Sequence, residues 1–558
     1  MGGALARRYD ALIAEAREGS APAARRAAAM ALDRDALMAE EALALAISLD
    51  PLDGVSRLAL AQLQADRGDL TAARAEAARA FSGAVDQSAK ALAAFALGEI
   101  ALSRGDSTEA RDAFSAARAM FDVLLSAAPA DYDALRHFAR ACQRLADLPP
   151  EKDGPEKVGA QKAHDQHAAA FAVLEGLAMR EDAHLDLAED LAHGCARLAS
   201  LSRDLNAPDA ARRYANARIG WVTRLADEEP QHIMWRFDLA EAWEARASLD
   251  AEAGRLADAR EASDAALKLR LSLAAAAPHD VKRRDQLADA WTRVAVCAAH
   301  MRDFKAARPA AAQARALHEE APENARALYD ALSLEGDIAL HDLDAEAARI
   351  SFAHAAAIVQ PLARADEAWL PELARTWERL GDVGIVGQRF DSARDAFARA
   401  RAFLPKADPR LDARLALKLG EAALGARDMA NAKEALSHAC KVRVKLVQDM
   451  PSDQTLIREL AVALERLGLI AQAMGDEEAA RQAWTDELQL ADRLRAKAPN
   501  DEHTLRFCAV IHAHLATLRG GEKHRAAAFA LLTQLADMGK LSETDISMRA
   551  RMFGEVGR

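Results

Sequence analysis

One block of residues recurs down this chain and limits what it can fold into: Trp377-x2-Leu380-Gly381, then Ala393-x3-Phe397-x2-Ala400, then Pro405. It returns as Leu97, Gly98, Gly105, Ala110, Phe114 and Ala117, and as Leu419, Gly420, Ala432, Leu436 and Ala439. Another copy runs Leu464, Leu467, Gly468, Gly475, Asp476, Ala480 and Trp484. Apolar and small residues at these spacings describe two helices packed face to face. A glycine on the first lets the second cross closely, and bulky residues fill the groove between them. A larger residue at Gly381 or Gly468 is expected to push the two helices apart. One such pair cannot bury its apolar face alone, so the pairs must stack.

The large residue and Leu-Gly step on one helix, with the small-aromatic-small series on the next, resemble the tetratricopeptide repeat. Punctuation sets the period: prolines 230, 278, 322, 409, 451 and 499 lie 48, 44, 87, 42 and 48 residues apart, with Asp366 marking the join inside the double interval. They read as helix-ending residues. A unit of 42 to 48 residues exceeds the ~34 of the plain motif. It is similar to the lengthened repeats of kinesin light chain and of many bacterial repeat proteins, with the second helix continuing through Arg118 to Leu125 or Leu488 to Ala498. Asp106 with Glu109, and Asp476 with Glu477 and Glu478, place acids where a helix start favours them. No alternating stretch reads as a β-strand.

The expected fold is therefore an all-α superhelix of about eleven helix pairs from 52 to 538. Its parts are a helical cap at 1–51, repeats at 52–148, a proline-rich loop or hinge at 149–156, repeats at 157–519 and a cap at 520–558. Phe529, Leu531, Leu532 and Leu535 in that last segment suit a helix covering the final pair. Hydrophobic residues make up 51% of the chain but aromatics only 5%, as when alanines fill tight helix contacts rather than one large core.

The net charge of -13 argues against a general nucleic-acid surface, which needs clustered Lys and Arg to replace counterions. Five cysteines, at 142, 195, 297, 440 and 508, are far apart and lack a CxxC pair, so they read as reduced core residues. No apolar run approaches the ~20 residues of a membrane span. A cytoplasmic protein without membrane insertion is expected. Met1-Gly2-Gly3 is followed by Ala6 where an N-myristoylation motif wants Ser or Thr.

Candidates for chemistry are sparse. His164 with His167, and Cys508 with His512 and His514, could face one side of a helix, yet neither set has HExxH or CxxC geometry, and packing is the expected role. Cys297 and His300 lack an orienting third residue. No phosphate loop is present. Trp243, Trp291 and Trp377 occupy one place in three repeats, where the repeat wants a large packing residue. Neither enzyme activity nor a cofactor or metal is expected.

In the family, residues flanking the Leu-Gly step face a concave groove that holds a peptide or partner helix. Here these are Arg375, Arg379, Asp382, Arg414, Lys418, Glu421 and Arg466. The expected function is a non-catalytic scaffold or adaptor that binds a protein segment, with an acidic segment suiting the basic residues. The alternative is a sensor of a peptide or small metabolite that changes superhelix curvature. Arg379 with Asp382 and Lys418 with Glu421 also form i, i+3 pairs that could hold one another in solvent. The chaperone-tail clamp of the family needs asparagine after the motif glycine. Glu99, Asp382, Glu421 and Leu469 stand there, so that partner is not expected.

Overall fold

The computed structural model describes residues 3–32, 35–149, 156–180, 185–320, 324–404 and 408–553. Among these every regular element is helical. The chain divides into two compact units, 1–290 and 291–558. Pro322, Pro405 and residues 150–155 of the expected hinge lie outside the described residues.

In the first unit α1 (Gly3–Arg17), α2 (Ala21–Ala31) and α3 (Ala36–Leu49) precede a series of A–B pairs. These are α4 (Gly54–Asp66) with α5 (Leu70–Gly83), α6 (Gln87–Ser103) with α7 (Ser107–Ala127), and α8 (Tyr132–Asp147) with α9 (Glu156–Ala178). Then come α10 (Leu185–Asp204) with α11 (Pro208–Glu228) and α12 (Ile233–Glu252) with α13 (Leu256–Ala276). The division falls within α14 (Val281–His300), which α15 (Phe304–Glu319) follows. The second unit continues with α16 (Ala325–His341) and α17 (Ala345–Ala365), α18 (Leu370–Val386) and α19 (Phe390–Ala402), and α20 (Pro409–Gly425) and α21 (Met429–Asp449). It closes with α22 (Gln454–Ala473) and α23 (Glu477–Lys497), α24 (Glu502–Ala516) and α25 (Glu522–Asp537), and a last helix α26 (Glu543–Phe553). Taken in order, α4 to α25 number eleven successive A–B pairs, as expected from the repeat, and each unit is all-α among the described residues.

One turn recurs between A and B helices. Its first residue sits in the left-handed region: Gly68, Gly105, Asn206, Gly254, Arg302, Leu343, Gln388, Arg427 and Gly475. The next residue's amide bonds back to the carbonyl five residues earlier, as in Asp106 to Ala101 at 2.9 Å, Asp344 to Ala339 at 2.9 Å and Asp428 to Ala423 at 2.8 Å. This is the Schellman closure of a helix. The same aspartate then caps helix B: Asp106 accepts from the Glu109 amide at 2.9 Å and Asp476 from that of Ala479 at 3.1 Å. With so few residues linking A to B, the two helices must run antiparallel. Among the described prolines of the series, Pro409 alone begins a helix rather than ending one: it is the first residue of α20, behind the cap Asp408.

Packing across each pair follows one register. A Cβ on Gly98 would lie 2.6 Å from the Phe114 ring, on Gly336 2.7 Å from Phe352, and on Gly420 2.6 Å from Leu436. At Gly381 and Gly468 it would run into Phe397 and Trp484. The partner is always sixteen residues on. Where the A helix has alanine instead, that partner is small: Ala61 with Ala77, Ala199 with Ala215, Ala247 with Ser263. Phe114, Phe352, Phe397 and Trp484 are at most 1% exposed. Successive A helices also touch one another, α4 on α6, α6 on α8, α8 on α10 and α16 on α18, so the A helices form the tighter layer within each unit. At the C-terminal end Leu531, Leu532 and Leu535 are buried against α24, while Phe529 is 38% exposed and lies beneath the Arg549 guanidinium of α26.

Candidate functional site

The seven residues expected to line a groove all lie on the A helices α18, α20 and α22, and the structure joins most of them across neighbouring helices. Lys418 on α20 donates to Asp382 on α18 at 2.7 Å and lies 2.8 Å from Glu378. Arg414 donates to the same Glu378 at 2.9 Å. Arg379 on α18 is 3.0 Å from Asp337 on α16 and 3.7 Å from Asp382. Arg466 on α22 is 3.3 Å from Glu421 on α20. The expected pairing of Lys418 with Glu421 gives way to these inter-helix pairs, because A-on-A stacking brings α18 acids closer to Lys418 than its own helix does. Arg375 is exposed and forms no ion pair among the described residues.

Glu378 is the pivot that sequence reading missed. It is only 8% exposed; burial pushes its carboxyl up, but Lys418 and Arg414 outweigh that and hold it below the usual carboxylate range. Asp337 goes the other way: burial raises it despite Arg379. At this level Arg375, Arg379, Arg414 and Lys418 face Asp337, Glu378 and Asp382, a local surplus of cations in a chain of net charge -13.

Beside Arg414 opens a recess of about 380 Å³ lined by Asp408, Arg410, Leu411, Arg414, Arg443 and Glu459. Arg410 pairs with Glu459 at 3.2 Å, and Asp408 is engaged as the α20 cap. Arg443, on the B helix α21, is 4% exposed and donates through Nη1 to the Glu459 carbonyl at 2.8 Å. Its Nε has no acceptor. The readable signal was a charge sixteen residues past the left-handed turn residue, where Phe121, Val222 and Val359 stand in other pairs.

A larger recess of about 580 Å³ lies in the first unit between α8, α9 and α10. Its charges are matched: Arg197 donates to Asp147 at 2.5 Å, the 2% exposed His167 meets the same carboxylate at 2.9 Å, and Arg136 pairs with Asp186 and Asp190. Apart from that of His167, which comes from the B helix α9, these pairs again join A helices, as does Arg144 with Glu99 at 2.6 Å.

The other chemical candidates disperse. His164 packs edge-on against Tyr214 while His167 turns to Asp147. Cys508 is buried in the core with its thiol pushed up to about 11 by burial, His512 meets His524 at 2.9 Å, and His514 stacks on Trp484 at 5.0 Å. Among the described residues no three His, Cys, Asp or Glu side chains converge as metal donors. Cys297 is buried and His300 exposed. Trp377 packs between two core clusters with Arg399 4.6 Å above its ring, and Trp243 and Trp291 are half-buried. Among the described residues no helix is long and apolar enough to cross a membrane.

No family model and no curated protein sequence matches the chain. Among solved structures, the apo form of RapI superposes with a TM-score of 0.43 at 9% identity, covering 71% of this chain and 98% of RapI. Yeast Tom70 gives 0.30 at 13% identity over 95% and 99% of the two chains. The Cut9–Hcn1 hetero-tetramer of APC/C gives 0.30 at 14% identity over 98% and 95%. Similarity at that level carries no argument beyond itself. The architecture rests on the repeated turn and the glycine contacts.

Proposed function

We propose that the chain is a non-catalytic interaction scaffold that takes a protein segment on the A-helix face of its second unit, with acidic side chains on the segment. The observation that carries this reading is the cation surplus around Glu378. Two cations share that one carboxylate, and Arg375 stands exposed beside them. An acidic segment can take up the surplus without breaking the inter-helix pairs, and a repeated helix layer offers it an extended surface. The acids after the motif glycines, Glu99, Asp382 and Glu421, are each engaged by a cation of an adjacent A helix. They leave no place for the chaperone-tail clamp.

Affinity capture from native lysate, with the wild type beside the double variant Arg375→Glu, Arg414→Glu, tests the reading. Lys418 keeps both of its pairs in that variant while Glu378 loses Arg414, so melting curves of the two proteins check that the stack survives. A partner retained by the wild type and lost by the variant is expected. Equal recovery by both would rule out this face.

A further inference from the structure

Two buried arginines occupy equivalent places in different pairs, and only one has a carboxylate. Arg270 on α13 stands sixteen residues after Gly254, and Arg443 on α21 sixteen after Arg427, both turn residues being left-handed. They are 3% and 4% exposed. Arg270 is held by a two-point bond to Glu244, Nε to Oε1 at 2.9 Å and Nη2 to Oε2 at 3.1 Å. Glu244 lies ten residues before its turn; ten residues before Arg427 stands Leu417. The internal acid that completes Arg270 is therefore missing for Arg443. Its one hydrogen bond goes to a backbone carbonyl, and Nε is left without an acceptor.

A buried guanidinium with no carboxylate bonded to it is costly to keep, and for Arg443 burial outweighs the charges of Glu459 and Glu421 nearby. Arg443 is the most buried of the residues around the 380 Å³ recess, and Arg410 and Arg414 are about half exposed there. Of the two acids lining it, Glu459 is taken by Arg410 and Asp408 by its helix cap. Resting on the scaffold reading, we infer that this recess receives a carboxylate of the bound segment, which completes Arg443 as Glu244 completes Arg270. The guanidinium fork suits two-point binding of a carboxylate. The site differs from the clamp position after the motif glycine, since Arg443 comes from a B helix.

The test uses the full chain and an immobilised library of short peptides in three forms: capped with glutamate at a fixed place, capped with glutamine there, and carrying a free C-terminal carboxylate. The wild type should retain one carboxylate form at least tenfold better than the glutamine form, and which one identifies the source as side chain or chain end. Arg443→Met should erase that preference while still retaining peptides. Leu417→Glu, which supplies the acid from within, should erase it too, and melting curves of both variants check the fold. Peptides retained by the wild type without preference for a carboxylate would overturn this inference and leave the scaffold reading intact. No peptide retained in any form would overturn both.

Discussion

Gly381 and Gly468 exist as glycines because Phe397 and Trp484 occupy the space a Cβ needs. Gly381→Ala should destabilise the second unit by about 1–3 kcal/mol, the usual cost of overpacking a filled core, read as a lower unfolding midpoint. Adding Phe397→Ala should restore less contact but relieve the clash, giving a non-additive pair, since Ala–Ala is the combination found at Ala61 and Ala77. A second residue-scale prediction concerns Glu487 on α23. It is 1% exposed, its Oε2 has no partner, and burial reinforced by the Glu465 charge pushes its carboxyl up to about 9. The folded chain thus holds a proton there that the unfolded chain has released, so this group favours folding below about pH 4.5, and that contribution is lost as pH rises towards 9. Glu487→Gln should melt with the wild type near pH 4.5 and above it at pH 8; a gap that does not grow with pH would contradict the assignment.

At the scale of elements, the A–B turn demands a left-handed residue, which glycine supplies freely at Gly105 and Gly475 but Leu343, Gln388 and Arg427 supply under strain. Leu343 is 75% exposed and loses little packing if removed. Leu343→Gly should stabilise the chain by about 1 kcal/mol, the cost of the left-handed conformation for an ordinary residue, seen as a raised unfolding midpoint. The same fact explains what could be read from the sequence and what could not. Copies with glycine or Leu-Gly at the right places were legible, and so were the eleven pairs. The copy at Gly336 and Phe352 was not, because Glu335 precedes its glycine and Leu343 hides its turn. The seven candidate groove residues lie on A helices, and of the two ion pairs read from the sequence Arg379 with Asp382 is present at 3.7 Å, whereas Lys418 turns from Glu421 to Glu378 and Asp382. Arg414 and Glu378 are 36 residues apart in sequence and meet only through A-on-A stacking. Arg443 was passed over because it lies on a B helix, outside the face where the repeat directs attention.

Over the whole molecule, acids outnumber bases by 86 to 73, yet the A-helix face of the second unit gathers a cation surplus around Glu378. A contact made through those cations is screened by salt over a Debye length of ~8 Å at physiological ionic strength. Partner retention should therefore fall as salt rises, whereas an apolar contact would hold. The partner should lie on the A-helix face, meeting a B-helix side chain only at Arg443 through the recess beside Arg414, and not on the exposed side of the B helices. A photo-crosslinking residue placed at Arg375 on α18, and in a separate chain at the exposed Asp395 on α19, tests this most directly in native cells. A covalent adduct with a protein partner is expected from position 375 and none from 395; an adduct formed at 395 and absent at 375 would overturn this placement.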